Sequence, residues 1–171
     1  MTKKTLSIVL PALNEAENID GIYQELSRVM GETPYSYEIL FVVDPSIDGT
    51  ESKVEFLASK NHQVRAIFMA DRAGQTECIR AGYENAKGDA VVTMDVDFQD
   101  PPDLIIEMLS KWENGASIVN TRRIDRKSDS IIYQFLTKFG YRIISWLTKG
   151  KVLSNVGDFR LVDSKVIPHM L

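Results

Sequence analysis

Val91-Val-Thr-Met-Asp95-Val-Asp97-Phe-Gln99-Asp100-Pro-Pro-Asp103 is the stretch on which the reading of this chain turns. A short apolar, β-branched run ends in the carboxylates Asp95, Asp97 and Asp100, with the Gln99 amide among them and two prolines behind. It predicts a strand that empties into an acidic loop. Side chains of an extended segment alternate between faces, so Asp95, Asp97 and Gln99 are expected to project together while Val96 and Phe98 turn inward. Such oxygen donors suit a hard divalent cation. The same residues admit a plainer account, in which Asp100 caps a helix whose first turn holds Pro101 and Pro102 and the other acids are solvated. Asp-x-Asp alone does not decide between the two.

The bounds are ordinary. With 171 residues, 44% hydrophobic and 26% charged, the chain can bury one substantial core, and a single domain is expected. A net charge of -4 gives no reason to expect nucleic acid as a partner. The lone Cys78 excludes an internal disulfide and a cysteine zinc cluster and fits a reducing compartment. The apolar run Leu6 to Leu13 is interrupted by Pro11 and is too short for a signal peptide or a membrane span.

Taken in order, Leu6 to Leu10 reads as a strand stopped by Pro11. Ala12-Leu13-Asn14-Glu15 then leads into a helix with Ile19, Ile22, Tyr23, Leu26 and Val29 on one face, and Asn14 is a candidate N-cap. Tyr37 to Val43 is a second strand, ending in Asp44-Pro45-Ser46-Ile47-Asp48-Gly49-Thr50 before another helix. Val64 to Met69 is a third, followed by Arg72-Ala73-Gly74-Gln75 and a helix through Lys87 on which the small Ala81 and Gly82 suggest close packing. The helix Leu104 to Trp112 and a fifth short strand, Ala116 to Asn120, follow the acidic loop. Strands alternating with helices imply a mostly parallel sheet with right-handed crossovers. Ligands of such sheets sit beyond the carboxyl ends of the strands. One pocket should therefore collect Asn14, Glu15, Asp44, Asp95 and Asp97, and this convergence favours the cation over the plain cap.

From Thr121 the pattern changes to the basic stretch Arg122-Arg123-Ile124-Asp125-Arg126-Lys127. Ile131 to Leu147 then reads as a helix with Phe135, Phe139 and Trp146 among its apolar positions. Its residues leave two readings open, a core helix and a helix lying at a membrane surface beside a basic segment. Asn155 to Leu161 suggests a turn and short strand, and a helix is expected to begin near Asp163.

Read together, these turns resemble the family-2 glycosyltransferases, in the branch that moves sugars onto polyprenyl phosphates. Dolichyl-phosphate mannose synthases and undecaprenyl-phosphate glycosyltransferases are the nearest types. The matching stretches are Leu10-Pro-Ala-Leu-Asn-Glu15, Glu38 to Thr50, Gly74 to Gly82, Gly88 to Pro102 and Gly157-Asp-Phe-Arg-Leu161. Asp95-Val-Asp-Phe-Gln-Asp-Pro-Pro102 is the most specific of them.

The resemblance implies an α/β, GT-A (Rossmann-like) nucleotide-sugar-binding fold with a mostly parallel central sheet. Pro11, Ala12, Asn14, Glu15, Asp44 and Asp95 would bind the nucleotide-sugar, with a preference for a UDP-sugar over a GDP-sugar. Asp95, Asp97 and Gln99 would hold Mg2+ or Mn2+ against the diphosphate, and Asp158 and Arg160 would serve catalysis, as candidate base and phosphate clamp. Arg122, Arg123, Arg126 and Lys127 would face the acceptor phosphate or a membrane surface. Residues 1–120 would form the nucleotide-sugar part and 121–171 an incomplete acceptor side. Two departures stand out: Val43-Asp44-Pro45 lacks the first of the two acids that often precede the family's Gly-Ser-x-Asp-Gly turn and the glycine that opens it, and members of this branch continue beyond the position of Leu171, so the chain is expected to be a C-terminally truncated piece.

The expected activity is a metal-dependent, inverting transfer from a nucleotide-sugar to a polyprenyl phosphate in cell-envelope glycan synthesis, at the cytoplasmic face of the membrane. The competing readings are transfer to a polysaccharide hydroxyl and a non-catalytic nucleotide-binding module. A redox Rossmann domain is disfavoured because no Gly-x-Gly-x-x-Gly follows the first strand. The sugar and the oligomeric state, a homo-oligomer included, are left open by the residues.

Overall fold

The structure, a computed structural model, describes residues 3–122 and 156–171. Its elements run β1 (Thr5–Ala12), α1 (Ile19–Gly31), β2 (Ser36–Val43), α2 (Thr50–Lys60), β3 (Val64–Phe68), α3 (Gln75–Asn85), β4 (Ala90–Thr93), α4 (Leu104–Glu113), β5 (Ile118–Arg122) and β6 (Val156–Asp163), followed by a 3-10 turn at Ile167–His169. Met1–Val119 and Asp158–Leu171 form one compact unit. A second unit, Asn120–Gly157, lies almost wholly outside the described residues.

The strands form one sheet in the order β3, β2, β1, β4, β6, β5. β3, β2, β1 and β4 are parallel, and β6 returns antiparallel beside β4 with Thr93 opposite Arg160. The chain thus winds outward from β1 to β3 and then crosses to the other side of β1, which makes the β1/β4 boundary the switch point where a crevice opens.

Alternation along β1 sorts the core. Leu6, Ile8 and Leu10 pack with Ile19, Ile22 and Leu26 of α1, Val54 of α2 and Ile105 and Met108 of α4. Val9 joins Leu40, Val42, Val91, Val162 and the α3 residues Cys78 and Tyr83 on the opposite face. A strand covered on both faces reads as an unbroken apolar run, as β1 does. The close packing expected of the small pair on α3 is seen at Gly82, where a Cβ would lie 2.2 Å from Val9 Cγ1. Gly82→Ala gains about 1 kcal/mol of helix propensity but overpacks this contact at a cost of roughly 1–3 kcal/mol. The overpacking is expected to win, as a lower urea midpoint with an unchanged slope.

Three boundaries differ from the sequence reading. β1 does not stop at Pro11 but runs to Ala12. The Ala12 carbonyl accepts from Asp44 N–H toward β2 (2.9 Å) and the Val9 carbonyl from Met94 N–H toward β4 (3.2 Å). By alternation Pro11 faces β4, whose pairing ends at Val9–Thr93, so the missing N–H forfeits no ladder bond there. The helix expected near Asp163 is not formed: β6 continues to Asp163, and only the 3-10 turn containing Pro168 follows. Pro101 and Pro102 do not form the first turn of the next helix, because α4 begins at Leu104 with Asp103 at its N-cap position.

Candidate active site

The loops after β1 and β2 are stapled to each other. Asn14 N–H donates to Ser46 Oγ (3.1 Å), and Ile47 N–H donates back to Asn14 Oδ1 (3.0 Å). Glu15 N–H donates to Thr50 Oγ1 (2.8 Å) and Ala16 N–H to Asp48 Oδ2 (2.9 Å). Asn14 adopts φ 55°, a left-handed conformation that asparagine tolerates better than most residues. It is therefore a clasp between loops and not the expected N-cap, since α1 begins at Ile19 with Asn18 before it. The four bonds hold these loops together beside a crevice of about 390 Å3 whose lining includes Pro11, Ala12, Glu15, Asp44, Asp95 and Asp97.

Asp44 ends β2 almost fully buried. It accepts from the N–H groups of Ala73 (3.1 Å) and Gly74 (2.8 Å) and from the Cys78 thiol (3.4 Å). Burial alone would raise its pKa, but these donors and nearby Arg72 outweigh burial and hold the carboxyl below its ordinary range. The same contact acts in reverse on Cys78, whose thiol is pushed up to about 12 by burial and then by Asp44. Cys78 also lines the crevice, with its thiol turned to Asp44.

Beyond β4 the expected alternation holds for only part of the loop. Asp95 and Asp97 line the crevice and Val96 is buried, but the strand ends at Thr93 and the chain then turns. Phe98, expected inside, has φ 59° and is 45% exposed, its ring over Gly21 of α1. Strand periodicity cannot extend past the last ladder bond, and the left-handed residue reverses the faces. Gln99, expected beside the acids, does not line the crevice; its backbone N–H donates to Asp97 Oδ1 at 3.1 Å. Asp95 Oδ1 accepts from Gln75 Nε2 at 2.7 Å.

The crevice is also lined by Leu13, within the stretch Pro11 to Glu15 that the resemblance sets around the base and ribose, by Val96, and by Arg72, Gly74, Gln75 and Cys78, to which the sequence reading assigned no site role. The signal for Arg72, Gly74 and Gln75 was on view, since Arg72-Ala73-Gly74-Gln75 follows β3 at the same edge as the other turns. Gly74, at φ 85°, lets the chain enter α3 there. Asp158 and Arg160 stand on the neighbouring strand, where Thr93 Oγ1 donates to the Asp158 carbonyl (2.6 Å) and Arg160 Nη2 pairs with Asp158 Oδ1 (2.9 Å). Neither lines the crevice. Of the basic positions, Arg122 ends β5 and its side chain is not described; Arg123, Arg126, Lys127 and the segment Ile131 to Leu147 lie outside the described residues.

Two carboxylates on one wall are a sparse donor set, and among the described residues no group of three or more His, Cys, Asp or Glu could hold a metal. That fits a hard cation of the kind bound through one or two carboxylates and completed by the phosphate oxygens of a ligand. Among the described residues no helix is long and apolar enough to cross a membrane.

Comparison with known proteins accords with this geometry. Residues 7–171 match the family described as glycosyl transferase family 2. An uncharacterized glycosyltransferase of Synechocystis is 36% identical over 162 residues, 95% of this chain and 51% of that protein. The bactoprenol glucosyl transferase of Shigella phage SfV is 34% identical over 165 residues, 96% of this chain and 54% of its own length. The chain thus spans about half the length of the curated relatives it matches. Among solved structures, glucosyl-3-phosphoglycerate synthase of Mycobacterium tuberculosis, in complex with Mn2+, UDP and glucosyl-3-phosphoglycerate, aligns with TM-score 0.69 at 21% identity over 95% of this chain and 58% of that one. The mannosyltransferase PcManGT of Pyrobaculum calidifontis, with GDP-Man and Mn2+, aligns with TM-score 0.64 at 16% identity over 99% and 47%. The fold is the GT-A arrangement that the sequence resemblance implies, and the chain belongs to glycosyl transferase family 2.

Proposed function

We propose that this chain is the donor-binding part of a metal-dependent, inverting glycosyltransferase that moves a sugar from a nucleotide-sugar to a polyprenyl phosphate at the cytoplasmic face of a membrane, in cell-envelope glycan synthesis. The observation that carries the reading is the convergence of Glu15, Asp44, Asp95 and Asp97, from the ends of three parallel strands, on one crevice at the sheet's switch point. In this reading Pro11, Ala12, Glu15, Asp44 and Arg72 surround the base and ribose, and Asn14 shapes that wall from behind. Asp95 and Asp97 are the residues that would hold Mg2+ or Mn2+, with Gln99 bracing Asp97 through its backbone. The cation's contribution is to offset the charge that develops on the departing diphosphate.

The acceptor side rests on β6. An ionised phosphate oxygen needs no base: it forms the new bond to the anomeric carbon as the bond to the diphosphate breaks, and the electron pair leaves with the nucleoside diphosphate. Arg160 would clamp that phosphate, a role its guanidinium fork suits, and Asp158 would hold Arg160 in place. The pairing of Asp158 Oδ1 with Arg160 Nη2 supports the orienting role. Relatives named bactoprenol glucosyl transferase support the lipid acceptor. The basic stretch 122–127 would meet an anionic membrane surface or the acceptor phosphate.

The test is thermal unfolding with UDP or GDP, with and without Mn2+ and a chelator. One of the two nucleotides is expected to raise the melting temperature only when the cation is present, because Asp95 and Asp97 otherwise repel the diphosphate. Stabilisation that ignores the chelator would overturn the metal assignment.

A further inference from the structure

We propose that Gln75, at the first turn of α3, is a positioning residue for the cation site and acts through the carboxylate of Asp95. The inference rests on the metal-dependent reading above. β4 ends at Thr93, so Asp95 stands in the loop two residues beyond the strand. The two crevice acids are braced in different ways. Asp97 Oδ1 receives the N–H of Gln99 from its own loop. Asp95 Oδ1 receives Gln75 Nε2 at 2.7 Å, from an element 20 residues away in sequence.

The origin of that donor is itself secured. Gly74 and Ala73, immediately before Gln75, give their N–H groups to the buried Asp44 at the end of β2. Gln75 therefore stands on a backbone pinned to the sheet, and its amide transmits that fixed position to Asp95. A hydrogen bond to one carboxylate oxygen sets the rotation of the group and the direction in which it presents its electron pairs. Partners of this kind behind a metal-binding side chain change metal affinity about 10- to 100-fold when removed. The amide is also uncharged, so it orients Asp95 without cancelling the negative potential that attracts a cation. A lysine at this position would donate as well but would compete with the metal by charge.

Gln75 is exposed, so replacing it leaves the core intact. The experiment measures the Mn2+ concentration that half-saturates binding to the 171-residue chain with UDP present, by electron paramagnetic resonance of free Mn2+. Parent, Gln75→Met and Gln75→Leu are compared, with uridine binding as a control that involves no diphosphate. The expected result is a rise of about 10-fold or more in half-saturating Mn2+ for both variants, with uridine affinity unchanged. Equal Mn2+ dependence in parent and variants would overturn the role of Gln75 and leave the metal reading standing. An equal loss of uridine affinity would overturn it too, because Gln75 would then act on the nucleotide and not through Asp95. A parent chain that binds no Mn2+ in the presence of either UDP or GDP would overturn the metal reading and this inference with it.

Discussion

Asp97→Asn is expected to reduce sugar transfer by about 10²- to 10³-fold and to remove most of the Mn2+-dependent stabilisation by nucleotide, while leaving the unliganded melting temperature unchanged. The substitution isolates charge. Asparagine keeps the shape, and its side-chain oxygen can still accept the Gln99 N–H that Asp97 Oδ1 accepts at 3.1 Å, so the loop has no reason to move. What disappears is one of the two negative charges facing the crevice from this loop. A bound divalent cation contributes several kcal/mol of transition-state stabilisation, and each 1.36 kcal/mol is tenfold in rate, which sets the expected range. Parallel titrations of Mn2+ and UDP against both proteins make the measurement. Identical metal dependence in parent and variant would return Asp97 to the role of a loop-turn residue.

The second large effect belongs to the opposite end of the sheet and concerns stability alone. Glu38 of β2 is a buried carboxylate that accepts from Ser7 Oγ (2.6 Å) and the Lys87 N–H (2.7 Å) on one oxygen and from Arg65 Nη1 (2.6 Å) on the other. Ser7 Oγ in turn accepts from the Gly88 N–H (2.8 Å), so the cluster ties β1, β2 and β3 to the turn that feeds β4. Removing one partner of a buried pair costs about 3–5 kcal/mol. With the Arg65 side chain 32% exposed, its stranded charge can rehydrate, and the lower end applies. Glu38→Ala is therefore expected to lose about 3 kcal/mol, or roughly 6–12 °C in melting temperature for a chain of this size. A loss below about 1 kcal/mol would show the cluster to be incidental.

The same carboxylate carries a pH signature. Burial raises the pKa of Glu38, but the hydrogen bonds from Ser7, Arg65 and Lys87 and the Arg65 charge outweigh burial and leave it lowered. Its contribution is fully present above the unfolded carboxyl value of about 4.3 and is lost as pH falls through the lower folded value. Acid unfolding should accordingly be less steep in Glu38→Gln than in the parent. Asp44 and Asp163, also lowered, continue to drive the remaining acid sensitivity in both proteins.

What the residues determine by themselves is local. Apolar runs such as Leu6 to Leu10 announce strands, and Ile19, Ile22, Leu26 and Val29 announce the buried face of α1. The polar turns at the strand ends then follow from the alternation of the two, and with the parallel-sheet rule that was enough to bring Glu15, Asp44, Asp95 and Asp97 to one crevice. The motif spelling of Asp95 to Pro102 carried the family. Tertiary structure decided which polar side chains face the crevice and which hold its walls. Asn14 and Glu15 are neighbours in sequence, yet one clasps Ser46 and Ile47 while the other lines the pocket, because a left-handed backbone at Asn14 turns its amide toward the next loop. Phe98 lies outside because the strand had already ended. Gln75 is bound to an acid 20 residues away, and no periodicity within α3 encodes that distance. Periodicity reports how a segment presents its faces; contacts between loops depend on where independent segments are brought by the packed sheet beneath them.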